Sequence, residues 1–146
     1  MYEPKSFDDL KVNDRVSLSK TITEADGALY IAATGDFGPV HVDEVYAGAT
    51  RFGRRLAPGI MVAGLCTSIL TSELVGTIGV SVEDRFWFTG PVFYGDTIEF
   101  KVWIAQMNAE TRSVIWQASA TNEEGKEVLK AEATLKFPRV KPKVAA

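Results

Sequence analysis

The chain contains a single histidine, His41, and the aspartate Asp36 lies shortly before it in the segment GDFGPVH, residues 35–41. Glycine and proline interrupt regular structure in this segment and stiffen a turn. Such a turn can bring the carboxylate and the imidazole to one cleft and activate a water between them, as general acid–base catalysis requires. In the alternative interpretation, Asp36 forms an Asx-turn with local amides and His41 only packs beside Pro39. The spacing alone favours neither.

The same segment carries a resemblance to a known family. Residues 30–43 resemble the signature of the MaoC-like dehydratases, which include the (R)-specific enoyl-CoA hydratases. The family pattern is Gly-Asp-x-Asn-Pro-x-His, and Asp36, Pro39 and His41 match it position for position. Gly38 departs from the pattern, because the family usually has an asparagine there, whose side chain helps to orient the catalytic pair and its water.

Two later segments extend the resemblance over residues 7–137. Residues 51–61 resemble the family's Phe-Gly…Ala-His-Gly-Met, with Pro58 in place of the histidine. Residues 86–97 resemble its Phe-x-x-Pro-Val-x-x-Gly-Asp-Thr. The resemblance implies a hot-dog fold. It also implies an enzyme, a hydratase or dehydratase, that interconverts a trans-2-enoyl-CoA and a (3R)-hydroxyacyl-CoA.

The resemblance implies roles for individual residues as well. Asp36 and His41 are the expected catalytic pair, and Gly59 aligns with the glycine whose amide binds the thioester carbonyl oxygen. Free amides at the start of a helix can hold negative charge, which agrees with that role. No metal or cofactor is expected, because the CoA or acyl carrier protein thioester is both the substrate and the electron sink. The expected substrate-binding residues are Phe37, Gly38, Arg51, Arg54, Arg55, Met61 and Thr67.

The basic turn at residues 51–55 has two interpretations. It is either a solvated loop whose charges aid solubility or a contact for the phosphates of a CoA-like carrier. Arginine grips phosphate with a planar fork of donors, so a CoA thioester ligand favours the second interpretation.

Two other functions stay open. A hot-dog thioesterase hydrolyses the same class of ligand, usually with an acid on or near the central helix, and Glu73 or Glu44 is then the residue to consider. A non-catalytic acyl-CoA-binding subunit is the second alternative, because Gly38 lacks the side chain that would hold the water. Release of free CoA identifies the thioesterase, and binding without turnover identifies the binding subunit.

Helical patterns surround the candidate pair. Thr23 can cap a helix with acids in its first turn, and this helix gives Asp36 rigid support at its end. A second short helix is predicted at residues 43–49. Residues 60–74 are apolar nearly all round, which predicts a helix buried on most sides. The residues expected to face the core on the first helix are Ala25, Ala28, Leu29, Ala32 and Ala33.

Five strands are predicted, at residues 12–22, 79–89, 97–107, 113–122 and 127–137. The last strand alternates apolar and polar residues most clearly, as in an antiparallel sheet with one wet face. A sheet wrapped around one buried helix is an α+β hot dog. Its sheet leaves an edge, so we expect a homodimer or a higher even oligomer, with the acyl channel along the subunit contact. Core or interface packing is expected for Trp87, Trp103 and Trp116.

Length and composition fit one domain over residues 1–146. The formal net charge of −3 argues against a nucleic-acid partner. One cysteine, Cys66, excludes an internal disulfide and is expected to be buried as a small hydrophobe. The uncharged stretch 56–72 is too short and too polar to span a membrane, and the amino terminus lacks a signal-peptide pattern, so a cytoplasmic location is expected. Residues 139–146 are expected to form a basic, loosely held tail.

Overall fold

The computed structural model describes residues 5–75 and 79–139 and contains five antiparallel strands in one sheet. The strands are β1 Arg15–Thr21, β2 Val80–Phe88, β3 Thr97–Asn108, β4 Ser113–Thr121 and β5 Glu127–Lys136. Their order in the sheet is β1-β3-β4-β5-β2, so β1 and β2 form the two edges. All five predicted strands are confirmed, with ends that differ by a few residues at most.

One face of the sheet forms the core against a long helix. Side chains alternate between the two faces of a strand, and burial alternates with them along β4, along β3 as far as Ile104 and along β5 from Leu129 onwards. The residues that β3 contributes to the core are Ile98, Phe100, Val102 and Ile104. An antiparallel sheet packed around one helix is the predicted α+β hot-dog fold.

The long helix, α4, spans Gly59–Ile69 and continues as a π-helical turn over Leu70–Val75, as predicted for residues 60–74. Its core side includes Cys66, whose burial raises the pKa of the thiol to about 12. The thiol therefore stays protonated and packs as a small hydrophobe, which confirms the prediction. The predicted burial on most sides is confirmed, and one stripe of the helix, which faces away from the sheet, is exposed. The exposed stripe consists of Ile60, Gly64 and Ser68.

The first helix, α1 (Glu24–Thr34), presents a different face to the core from the one predicted. Its buried residues are Gly27 and Ile31, and Gly27 lies against the ring of Tyr94. Alanines occur on several sides of this helix, so their spacing does not select one face, and the contact with Tyr94 sets the rotation instead. The residues wrongly expected in the core are all exposed: Ala25, Ala28, Leu29, Ala32 and Ala33.

A reciprocal capping box begins α1. The amide of Asp26 donates to Thr23 Oγ1 at 3.2 Å, and the amide of Thr23 donates to Asp26 Oδ2 at 2.8 Å. The predicted cap at Thr23 is confirmed. The hydroxyl and amide of Thr23, followed by Lys20, hold the pKa of the Asp26 carboxyl at about 2. The carboxylate is therefore bound in its charged form.

We expect Asp26→Ala to lower the free energy of unfolding by about 1 kcal/mol at neutral pH, because the Thr23 amide and hydroxyl and Lys20 lose their charged acceptor. A lowered pKa stabilises the folded state above the ordinary value of 3.8, and this stabilisation disappears as the pH falls from 3.8 to about 2. Urea titrations between pH 7 and pH 2 should show the difference between parent and variant shrinking in that window. A difference that does not change with pH would contradict the expectation.

Three shorter helices complete the described chain. A 3-10 helix spans Phe7–Asp9, α2 spans Pro39–Val42 and α3 spans Glu44–Gly48. Asp43 Oδ1 accepts hydrogen bonds from the first amides of α3, so the helix predicted at residues 43–49 is confirmed together with its cap.

The three tryptophans divide between the two faces of the sheet. Trp116 is fully buried in the core, whereas Trp103 is partly exposed and Trp87 is 48% exposed on the outer face. Core packing is therefore confirmed for Trp116, and interface packing of the other two stays a prediction.

Within the described ranges, no helix combines the length and hydropathy that a bilayer crossing needs. The cytoplasmic location stays a prediction, and so does the tail, since residues 140–146 lie outside the described residues.

Candidate active site

The segment between α1 and α3 carries the candidate catalytic pair. Helix α1 ends at Gly35, whose φ of 75° lies in the left-handed region that glycine adopts without strain. Gly38 then caps α2, and Pro39 occupies its first turn, where the missing proline amide costs no hydrogen bond. The predicted turn thus contains a one-turn helix, and this helix holds His41.

His41 is fixed by a backbone carbonyl. Its Nδ1 lies 2.8 Å from the carbonyl oxygen of Leu56, and the Leu56 amide donates to the carbonyl of Val40 at 3.0 Å. A carbonyl only accepts, so Nδ1 must carry the hydrogen, and in the neutral imidazole Nε2 is then an acceptor. The fold thereby selects the tautomer that can accept a proton on the side away from Leu56. Sequence reasoning missed this role of Leu56, because the contact joins two distant segments.

Asp36 and His41 border the same small space at Gly38. The Cβ of a residue with a side chain at position 38 would lie 3.4 Å from Asp36 Oδ1, 3.2 Å from His41 Cδ2 and 3.8 Å from His41 Nε2. The amide of Gly38 donates a long hydrogen bond of 3.4 Å to Asp36 Oδ1, which is the Asx-turn contact of the alternative interpretation. Both catalytic candidates are half-buried. The carboxylate of Asp36 and the imidazole of His41 therefore lie close together on the same side of Gly38, and a shared water between them stays a prediction.

A cleft of about 320 Å³ opens beside His41. Phe37, 68% exposed, forms one wall, and Tyr94 forms another. The hydroxyl of Tyr94 is buried and has no hydrogen-bond partner among the described residues, and burial raises the pKa of this phenol. Most of the lining is apolar, which suits an acyl chain or a pantetheine arm. The lining residues are Glu24, Ala28, Ile31, Ala32, Phe37, His41, Val42, Arg55 and Tyr94.

Gly59 is the first residue of α4 and lies three positions after Leu56. The first amides of a helix have no intrahelical acceptor, so the Gly59 N–H is available to a ligand. The ring of Phe88 packs over the α-carbon of Gly59, and a Cβ at that position would lie 3.0 Å from Phe88 Cε1. The chain thus connects the carbonyl that fixes His41 directly to the amide expected to bind a thioester oxygen.

The family model for the MaoC-like domain matches residues 11–126, which is most of the chain. This chain belongs to the MaoC-like domain family. The match includes the Asp36 and His41 segment, the start of α4, and the sheet as far as the turn before β5.

Relatives of this MaoC-like domain align with most of its length. An (R)-specific enoyl-CoA hydratase of Rhodospirillum rubrum is 35% identical over 132 residues, covering 90% of this chain and 91% of the relative. A 3-hydroxybutyryl-CoA dehydratase of Methylorubrum extorquens is 36% identical over 134 residues, covering 91% and 84%. The solved structure of an R-hydratase from Pseudomonas aeruginosa, unliganded, superimposes with a TM-score of 0.83 at 26% identity, covering 97% of this chain and 96% of that one.

The arginines of the MaoC-like domain expected at the carrier phosphates have partners within the protein. Arg55 bridges Glu44 and Glu24, and its Nε lies 2.7 Å from the Glu44 carboxylate. The hydrogen bond to Glu44 is the main cause that raises the pKa of Arg55. Arg54 Nη2 lies 3.3 Å from Asp96 Oδ1, with the guanidinium 3.9 Å from the centre of the Phe93 ring. Arg55 therefore ties α1 to α3, and a phosphate contact from either arginine stays a prediction.

Arg51 lies in a different environment from Arg54 and Arg55. Its guanidinium lies 4.8 Å from the centre of the Phe52 ring, and the residue is exposed.

Met61 and Thr67 are half-buried along α4, and Met61 packs against the core. Their contact with a substrate also stays a prediction.

The acids considered for a thioesterase are poorly placed. Glu44 is held by Arg55. Glu73 is exposed in the π-helical turn, and a helical rise of 1.5 Å per residue puts it about 20 Å from Gly59. Neither acid borders the space between Asp36 and His41.

Two larger grooves, of about 640 and 570 Å³, lie on the outer face of the sheet. Trp103 lines both of them, and Trp87 lines the second. The single histidine of the chain lies in neither, so the cleft beside His41 is the better candidate despite its smaller volume.

Proposed function

We propose that this protein is a hydratase or dehydratase that interconverts a trans-2-enoyl-CoA and a (3R)-hydroxyacyl-CoA. The observation that carries the proposal is the proximity of Asp36 Oδ1 and His41 Nε2, which lie 3.4 and 3.8 Å from the position of a Cβ on Gly38. The full-length relatives named as hydratase and dehydratase support the same reaction. A cleft with mostly apolar walls adjoins His41.

In the hydration direction, a water held between Asp36 and His41 donates one hydrogen bond to each of them. Asp36 takes a proton from this water as its oxygen forms a bond to C3 of the enoyl group. In the neutral imidazole whose Nδ1 carries the hydrogen for Leu56, His41 accepts the second hydrogen bond through Nε2. The pair thereby aims a lone pair of the water oxygen at C3.

As the C3–O bond forms, the electrons of the double bond move through C2 to the thioester oxygen. The Gly59 amide donates to that developing enolate, and a donor aimed at developing charge is worth about 3–4 kcal/mol. The proton removed from water then returns through the acid–base pair to C2, so that water has been added across the double bond. The thioester itself accepts the electrons, and we propose that the reaction uses no metal or redox cofactor.

Crotonyl-CoA tests the proposal with two simultaneous readouts. Hydration removes the absorbance of the conjugated enoyl thioester and releases no thiol. We therefore expect absorbance loss without any signal from a thiol-reactive dye. Thiol release equal to the absorbance loss would instead indicate a thioesterase. Calorimetric binding without turnover, across short, branched and long enoyl-CoA substrates, would indicate a non-catalytic binding subunit.

We also propose that the working unit is a homodimer or a higher even oligomer, joined along the edge strand β2. This strand has no partner on its outer side in the described sheet, and its exposed apolar residues include Val80 and Val82. Two copies of β2 paired antiparallel about Asp84 would set Glu83 opposite Arg85 of the other copy, a complementary pairing. A light-scattering mass of 16.0 kDa, that of one chain, at micromolar concentration would contradict this proposal.

A further inference from the structure

Phe88 lies next to the Gly59 amide, which is the expected donor to the thioester oxygen. It is the last residue of β2 and pairs with the buried Leu129 of β5, so its side chain is on the same face of the sheet as α4. The ring is 52% exposed, which is unusual for a large aromatic side chain on the core face. Half of the ring is thus covered by protein and half is open to whatever approaches the start of α4.

The covered part of the ring contacts Gly59. Phe88 Cε1 and Cδ1 lie 3.0 and 3.1 Å from the position that a Cβ on Gly59 would take. That position is about 2.5 Å from the Gly59 nitrogen by standard covalent geometry. A carbonyl oxygen bound by the Gly59 N–H lies about 2.9 Å from the same nitrogen. In a helix, both the N–H and the Cα–Cβ bond point towards the N-terminus, so a carbonyl bound by Gly59 lies on the side where the Phe88 ring packs. The ring therefore borders the space for the atoms attached to that carbonyl carbon, C2 and sulfur.

We propose that Phe88 is a specificity-determining residue that limits the size of the substituent at C2 and so restricts the substrates to enoyl thioesters unbranched at C2. This inference rests on the proposed function, and it deepens it by naming the substrate class. A methyl group at C2 competes with the aromatic ring for the same space beside the Gly59 amide. Removing the ring provides that space and leaves Asp36, His41 and the amide unchanged.

The test compares crotonyl-CoA with its C2-methyl analogue, tiglyl-CoA, in the parent, Phe88→Ala and Phe88→Leu. One methyl group in a tight pocket changes kcat/KM by about 10- to 200-fold. We expect Phe88→Ala to raise the ratio of kcat/KM for tiglyl-CoA over crotonyl-CoA by at least about tenfold. Phe88→Leu, which keeps more of the volume and of the strand packing, should give an intermediate rise.

Trp87→Ala is the matched control. Trp87 is the adjacent aromatic residue of β2, it is 48% exposed, and it pairs with Lys130 on the opposite face. Its removal deletes a similar exposed area away from α4, so the ratio of the two substrates should stay at the parent value. If this kcat/KM ratio is the same in Phe88→Ala and Trp87→Ala, the inference is overturned. A loss of kcat/KM in Phe88→Ala that is equal for both substrates would also overturn it, whether or not the oligomer dissociates.

Calorimetry tests, without turnover, whether Phe88 excludes a substituent at C2. The ligands are butyryl-CoA and 2-methylbutyryl-CoA, which lack the double bond and cannot be hydrated. We expect the parent to prefer butyryl-CoA and Phe88→Ala to lose most of that preference. An unchanged preference would overturn the inference even if the parent hydrates crotonyl-CoA. If the parent turns over no enoyl-CoA, the proposed function fails, and the calorimetric comparison still decides whether Phe88 excludes the C2 substituent.

Discussion

Asp36→Asn and His41→Ala are each expected to lower kcat for crotonyl-CoA hydration by about 10²- to 10⁴-fold, the usual contribution of a positioned acid or base. In the first variant, the asparagine keeps an oxygen that accepts from the Gly38 amide but cannot take a proton from water. In the second, the alanine leaves the carbonyl of Leu56 in place and removes the second acceptor for the water. KM should change little, because neither group is needed to hold the carrier. Steady-state kinetics on purified variants measures both constants.

Asp43→Asn is the control for these variants. It makes the same substitution in the same segment, and asparagine keeps the acceptor that caps α3 through the amides of Val45 and Tyr46. Its kcat should stay within a few-fold of the parent. The double variant of Asp36 and His41 should be little slower than either single one, because both residues act on one water. Near-parental rates in Asp36→Asn and His41→Ala would contradict the assigned roles.

Gly59→Pro is expected to lower kcat by about 10²- to 10³-fold relative to Gly59→Ala, because only proline removes the amide that binds the enolate oxygen. Proline is tolerated at the first position of a helix, where the amide has no intrahelical partner. The preceding Pro58, with φ −58° and ψ 124°, already has the extended backbone that a following proline favours. The effect should therefore be on catalysis and not on the helix.

Gly59→Ala controls for the added Cβ, which meets the ring of Phe88 in both variants at 3.0 Å. Both proteins should unfold at similar temperatures in calorimetry, while their kcat values differ. Equal kcat values for the alanine and proline variants would mean that this amide does not contact the developing charge.

The strands and the capped helix could be predicted from local pattern. Alternation along β5 places Leu129 in the core and Lys130 in solvent without knowledge of any neighbour. Thr23 followed by Asp26 satisfies the amides of one helix end within four residues, so the cap is also a local property. The Asp36, Pro39 and His41 pattern similarly lies in one short segment.

Contacts between distant segments could not be predicted. The carbonyl that fixes the His41 tautomer belongs to Leu56, and a backbone carbonyl has no signal in a sequence. The rotation of α1 depends on Tyr94 lying against Gly27, a close approach that only the absent Cβ permits. Arg55 pairs with two glutamates on separate helices, and this contact is equally non-local. The sequence showed the charge of Arg55 but not these partners, so a position at a phosphate was expected from the charge alone.

The central claim is that Asp36 and His41 add water across the double bond of an enoyl thioester. The most direct measurement incubates crotonyl-CoA with the protein in water enriched in heavy oxygen and analyses the product by mass spectrometry and chiral chromatography. The proposed mechanism predicts (3R)-3-hydroxybutyryl-CoA that carries the heavy oxygen at C3, with the thioester intact. Labelled crotonate with free CoA, a (3S) product, or unchanged crotonyl-CoA would contradict it.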